Sequence, residues 1–189
     1  MQMDATEAAA VLARAGQGDS DAFRALVERH SQQAFRLAFR LTGNEQDAED
    51  VVQESFLRAY RQLGRFESRA NFGTWLYRIV ANCSVDLMRA RRARQAKTRM
   101  DSLDDPEAAP APAAGPSPER LARSAEIRTR VAAAMQGLSP LERAAFTLRH
   151  HEGRSIDEIS RLLGLRTSAT KHAVFRAVRK LRTTLAVLK

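Results

Sequence analysis

Cysteine is all but missing: Cys83 stands alone in 189 residues, so no internal disulfide can staple the chain and a packed core must hold it. Proline is scarce, and five of the six (Pro106, Pro110, Pro112, Pro116 and Pro118) crowd into one segment, leaving Pro140 as the one helix breaker elsewhere. No apolar run approaches the roughly 20 residues that cross a bilayer, so no membrane insertion is expected. The opening MQMDATEAAA lacks the basic-then-apolar order of a signal peptide, which leads us to expect a cytoplasmic protein. Catalytic signatures are missing too: there is no GxSxG, HExxH, P-loop or GxGxxG. His150 and His151 are adjacent, so they leave a helix in different directions and make a poor metal pair, and His30 reads as a helix-face residue. Cys83 falls on an apolar stripe and reads as a core thiol. We expect no enzyme, no catalytic residue, no metal and no cofactor.

What the chain does hold is helical pattern and positive charge. Apolar positions Phe23, Leu26, Val27, Phe35, Leu37, Ala38 and Leu41 follow helical spacing, with Asp19 and Ser20 as a start signal and Gly43 as a stop. A second helix starts at Asn44 and carries Ala48, Val51, Val52, Phe56, Ala59, Tyr60 and Leu63, with Gly64 beyond it. A third carries Phe72, Trp75, Leu76, Ile79, Cys83 and Leu87 at three- and four-residue steps. Ser139-Pro140-Leu141-Glu142 and Ser155-Ile156-Asp157-Glu158 are capping boxes. The second opens a short helix ending at Gly164, and a basic helix follows, which together describe a helix-turn-helix. No segment alternates as a strand would. The expected fold is all-α: two small helical domains, residues 1–96 and 120–189, joined by a flexible proline- and alanine-rich linker over 97–119.

The 31 Lys and Arg residues outnumber 22 acids, a net charge of +9 that favours a polyanionic partner. Six of the cations lie between Leu87 and Met100 and seven between Gly164 and the C-terminus, with no acid in either run. Each run extends an amphipathic helix and can present cations to phosphates. From Asn44 to Glu54 the sign reverses: Glu45, Asp47, Glu49, Asp50 and Glu54 occur without a Lys or Arg. The spacing predicts that Asp50, Gln53 and Glu54 share a surface facing away from Val52 and Phe56. Such a surface repels DNA and suits a protein partner with a basic face. The loop Gly64–Phe72 mixes an aromatic, hydrogen-bonding side chains and arginines, a combination that can stack an unpaired base and read its edge.

These residues resemble an extracytoplasmic-function sigma factor of the sigma-70 family over nearly the whole chain. DAEDVVQESFLRAYRQL (Asp47 to Leu63) is similar to region 2.2, and FESRANFGTWLYRIVANCSVDLMRARRAR (Phe66 to Arg94) to regions 2.3 and 2.4. LSPLERAAFTLRHHEGRSIDEISRLLGLRTSATKHAVFRAVRKLR (Leu138 to Arg182) is similar to region 4. The resemblance implies a transcription initiation factor whose partners are core RNA polymerase, through its β′ clamp and β flap, and promoter DNA; an anti-sigma factor is a further partner it allows. It implies that Asp50, Gln53 and Glu54 meet the β′ clamp. It places Phe66 and Asn82 beside a flipped minus-ten base, Ser68, Arg69 and Asn71 in the capturing loop, and Arg78, Arg89 and Arg92 on phosphates. Arg166, Thr167, Ser168, Lys171, His172 and Arg176 are implied to face the minus-thirty-five element. Four positions depart from the family pattern. Arg166 stands where a small capping residue is usual, so the cap is expected to shift to Thr167; Ala169-Thr170 replaces a Thr-Val pair; and Ala173 replaces an arginine.

A helix-turn-helix regulator that binds duplex DNA without serving polymerase would account for the C-terminal domain equally well. It would leave the acidic helix and the aromatic loop without a task. A requirement for core polymerase separates the two readings.

Overall fold

The computed structural model describes residues 5–66, 71–101 and 118–186, which form eight α-helices and one 3-10 turn without a strand among the described residues. The chain divides into two compact units, Met1–Met88 and Arg89–Lys189.

In the first unit, α1 (Ala5–Gly16) is followed by α2 (Ser20–Thr42) and α3 (Glu45–Gln62), and a 3-10 turn (Leu63–Arg65) precedes α4 (Phe72–Asp101), whose residues from Arg89 on belong to the second unit. Asp19 starts α2 as expected: its Oδ1 accepts from the backbone N–H of Asp21 and Ala22, both at 3.0 Å. Arg14 donates to its Oδ2 at 2.6 and 2.8 Å, tying α1 to the same cap. At the other end Gly43 takes φ +70°, a left-handed conformation that costs glycine little, and its N–H returns to the carbonyl of Phe39. Asn44 then caps α3 through Asp47 N at 2.9 Å, so one glycine and one asparagine turn α2 into α3 as a tight hairpin. The core sets Leu26, Leu37 and Leu41 of α2 with Val51 and Phe56 of α3, and fully buried Ala38, Ala48 and Ala59 add almost no side-chain bulk to it. Helix α4 departs from a one-stripe reading. Every residue from Ile79 to Val85 except Asn82 is buried, so this stretch is enclosed on more than one side. Ser84 is tolerated there because its hydroxyl donates to the Val80 carbonyl at 2.8 Å.

The second unit contains α5 (Pro118–Gln136), α6 (Pro140–His150), α7 (Ile156–Leu163) and α8 (Thr167–Leu185). Both capping boxes close. Ser139 N and Ser155 N donate to Glu142 and Glu158 at 2.9 and 2.7 Å, and each serine hydroxyl accepts its glutamate's N–H at 3.2 Å. Gly164 ends α7 at φ +63°. Ala144, Ala145, Leu148, Ile159, Ala173 and Ala177 are buried, and Ala134 of α5 packs with Leu138, Ala177 and Leu181.

The ends of the expected linker are helical: α4 runs on to Asp101, and α5 begins at Pro118. Gln95 to Met100 holds no Gly or Pro and consists mostly of good helix formers, and Pro118 sits where its missing N–H has no partner to lose. The rest of the linker, 102–117, lies outside the described residues.

Candidate functional site

Helix α3 carries the acidic surface. Glu45, Glu49 and Asp50 are exposed on it, and Asn44 and the helix N-terminus favour acids in the first turn. Two expectations change. Gln53 does not face away from Val52 and Phe56: it lines with them a groove of about 830 Å³ between α2 and α3, whose other walls include Phe23, Phe35, Leu57 and Tyr60. At 100° per residue, Gln53 lies closer to Phe56 and Tyr60 than to Glu54, and the acid Glu49 lines the groove as well. Glu54, in turn, is paired. Arg58, one turn on, donates to its Oε1 at 2.7 Å and reaches Asp86 of α4 at 3.3 Å. The bond to Glu54 chiefly raises the Arg58 pKa, against a smaller opposing effect of burial. Asp50 is thus the exposed acid of the expected trio. The groove is rimmed by exposed apolar side chains, Leu57 at 44% and Tyr60 at 47%, and Phe23 meets Tyr60 edge-on at 4.9 Å.

Phe66 emerges from the 3-10 turn and packs on Trp75 (centroids 4.8 Å apart) and Phe72 (6.3 Å), with His30 of α2 against Phe72 at 5.2 Å. Burial, helped by nearby Arg29, holds His30 below its ordinary pKa, so it is neutral at pH 7. Asn71 caps α4 by accepting from Gly73 N at 2.8 Å. Gly73 leaves room for this, since a Cβ there would lie 3.1 Å from Asn71 Oδ1 and 3.2 Å from His30. Trp75, Arg78 and Asn82 recur along one side of α4, so the aromatic pair, a cation and an amide form a single strip. Within it Asn82 donates back to the Arg78 carbonyl at 2.8 Å. Arg78, Arg89 and Arg92 are exposed, while Ser68 and Arg69 lie outside the described residues. Cys83 is buried beneath α3, where burial pushes its thiol pKa up, as a core residue.

On α8 the expected residues Thr167, Ser168, Lys171, His172 and Arg176 are exposed along one face, while Thr170, Ala173, Ala177 and Leu181 are buried on the other. The cap does not shift to Thr167. Arg166 itself holds the N-cap position at φ −71°, ψ 145° without a side-chain bond, because the extended turn from Gly164 places the first helical residue at Thr167. The Thr170 departure is also accommodated. Ser160 of α7 donates to its buried hydroxyl at 2.9 Å, and Thr170 donates to the Arg166 carbonyl at 3.3 Å, so the two helices share a satisfied polar link. Ala173, fully buried, has no room for an arginine. Two features escaped the sequence. Phe175 is 64% exposed amid Lys171, His172 and Arg179, and only its i+4 offset from Lys171 hinted at that face. Glu142 of α6 reaches across to α8, with Lys180 Nζ at 2.7 Å and Arg176 Nε at 3.4 Å.

Among the described residues no three His, Cys, Asp or Glu side chains gather as metal ligands would, and no helix is long and apolar enough to cross a membrane.

The family description Sigma-70 region 2 matches residues 26–94, and Sigma-70, region 4 matches 128–181. The chain is 35% identical over 161 residues to the ECF RNA polymerase sigma factor SigE of Mycolicibacterium smegmatis, covering 85% of this chain but 60% of that one. It is 34% identical over 166 residues to the RNA polymerase sigma-H factor of Pseudomonas aeruginosa, covering 87% and 86%. In three dimensions it resembles CnrH, solved in complex with the cytosolic domain of CnrY, with a TM-score of 0.58 at 29% identity over 94% of this chain and 96% of that one. With two helical units of the matching types and relatives of this kind along most of its length, the chain belongs to the extracytoplasmic-function sigma factors of the sigma-70 family.

Proposed function

We propose that this protein binds core RNA polymerase through α3 and the bordering α2–α3 groove, reads the minus-ten element with the Phe66–Asn82 strip of α4, melts the DNA there, and reads the minus-thirty-five element with α8. The observation that carries this is the division of surface chemistry within the chain. An exposed acid and exposed apolar side chains lie together on α3, while the exposed faces of α4 beyond Met88 and of α8 are cationic. DNA rejects the first surface and attracts the others, so a factor that touched only DNA would have no use for α3. The strip on α4 offers Phe66 and Trp75 for stacking beside Asn82 for edge hydrogen bonds, which offsets the few kcal/mol that flipping a base costs. Because CnrH was solved in complex with the cytosolic domain of CnrY, a protein partner besides polymerase is proposed here as well. The test is runoff transcription from genomic templates with purified core polymerase. Discrete promoters should be transcribed only when both proteins are present. Selective duplex binding by the chain alone, with no transcripts on adding core enzyme, would identify an ordinary helix-turn-helix regulator instead.

A further inference from the structure

We infer that Glu142 is a positioning residue for the DNA-reading face of α8, aiming the guanidinium of Arg176 through its Nε; this rests on the reading of α8 as the promoter-reading helix. Glu142 belongs to α6, and as a capping-box residue it needs only to accept from Ser139 N, which its Oε2 does at 2.9 Å. Glu158 shows what that task alone requires. It caps α7 through Ser155 N at 2.7 Å, accepts from Arg154 of its own N-terminal turn at 3.5 Å, keeps 40% of its side chain exposed, and makes no ion pair with α8 among the described residues. Glu142 is 5% exposed, and its carboxylate faces two cations of α8, Lys180 Nζ at 2.7 Å from Oε2 and Arg176 Nε at 3.4 Å from Oε1.

Burial of a carboxylate is costly unless its lone pairs are satisfied, and here a backbone N–H and Lys180 satisfy them by hydrogen bonds, with Arg176 beside them as an ion pair. The consequence for Arg176 is directional. Its Nε is the atom that faces the carboxylate, at ion-pair distance, so the Nη1–Nη2 edge of the fork is not spent on that pair. That edge is the one that grips a guanine O6/N7 pair or a phosphate in bidentate fashion. Arg176 lies one turn beyond His172 on the exposed face of α8, and its side chain is 52% exposed, so it is both paired and accessible. A long side chain restrained in this way loses less rotamer freedom when it engages a base than one that swings in solvent.

The test uses the full chain with Glu142→Gln. Glutamine still serves a capping box, so the start of α6 is kept while the charge that holds Arg176 and Lys180 is removed. In the free protein, the Nε–H NMR signal of Arg176 should shift and exchange faster with water. In holoenzyme, affinity for duplexes that the wild-type holoenzyme selects from a random pool should fall about tenfold relative to unselected duplex, the low end for a bidentate base contact. Glu158→Gln should leave that ratio unchanged, and Glu142→Gln should have no further effect on it in an Arg176→Ala background. An unmoved Arg176 signal, an unchanged ratio, equal losses for the two glutamates, or a full additional loss in the Arg176→Ala background would each overturn the proposal. If wild-type holoenzyme selects no duplex at all, the promoter-reading assignment of α8 fails, while the arginine signal still decides whether Glu142 holds Arg176.

Discussion

Glu142 ties local and long-range structure together, and its protonation should be visible in the stability of the second unit. Burial by itself pushes its carboxyl pKa up, but the Lys180 hydrogen bond, the Ser139 N–H and the Lys180 charge together prevail and hold it below the ordinary 4.5. A group whose pKa is lower in the folded than in the unfolded state stabilises the fold above the unfolded value. That contribution disappears as pH falls through the folded value. The second unit should therefore lose stability as pH drops below 4.5, and Glu142→Gln should flatten that acid limb while lowering stability at pH 7. Glu158 is shifted in the same direction, through its bonds to Ser155 and then Arg154, so some acid sensitivity should survive in the variant. Thermal melts followed by circular dichroism between about pH 5 and pH 3 check this, the window in which carboxylates of this kind titrate. Parallel acid limbs for wild type and variant would mean that the Glu142 contacts do not favour its ionised form.

At the scale of helices, α3 can be dissected because its two central acids differ in their surroundings. Asp50 is exposed, whereas Glu54 holds Arg58, which also reaches Asp86 of α4. Asp50→Lys should weaken binding to core polymerase at least tenfold with an unchanged melting temperature, in line with the several kcal/mol that like charges facing across an interface can cost. Glu54→Lys should weaken it too, but should also destabilise the fold by up to about 1 kcal/mol, the upper range for a partly exposed ion pair. Fluorescence titration with labelled core enzyme and urea denaturation separate the effects; unchanged affinity for both variants would remove α3 from the interface. The same helix shows what sequence makes legible. Asp19, Asn44, Ser139 and Ser155 could all be read as caps because each bond closes within three residues. The Arg58–Asp86 and Lys180–Glu142 bonds span 28 and 38 residues, and nothing in local spacing connects those partners. Gln53 was misplaced for a different reason. The apolar arc of α3 is wider than its buried arc, so Val52, Leu57 and Tyr60 line an open groove and do not close into the core. The cap at Arg166 was misread because propensity favoured Thr167, while the turn from Gly164 set the register of α8.

For the molecule as a whole, the question is how two DNA-binding units can read one promoter. Residues 102–117 connect Asp101 to Pro118, seventeen Cα steps that cannot exceed about 60 Å at roughly 3.6 Å each. At about 3.4 Å per base pair, that reach corresponds to at most about 17 base pairs of straight duplex between the ends of α4 and α5. Covalent connection thus limits how far apart two elements can lie, but it sets neither a fixed distance nor a rotational phase. If the protein acts as proposed, polymerase must supply both. Without core enzyme, the chain should bind duplexes weakly, with a steep salt dependence arising from its phosphate contacts. With core enzyme, inserting about four base pairs between the two elements moves one by about 14 Å and turns it by more than a third of a helical turn. Transcription from that template should be abolished. A series of inserted spacers assayed by runoff transcription measures this. Full activity across the series would mean that α4 and α8 do not engage one rigidly spaced promoter, and the division of tasks between the two units would have to be given up.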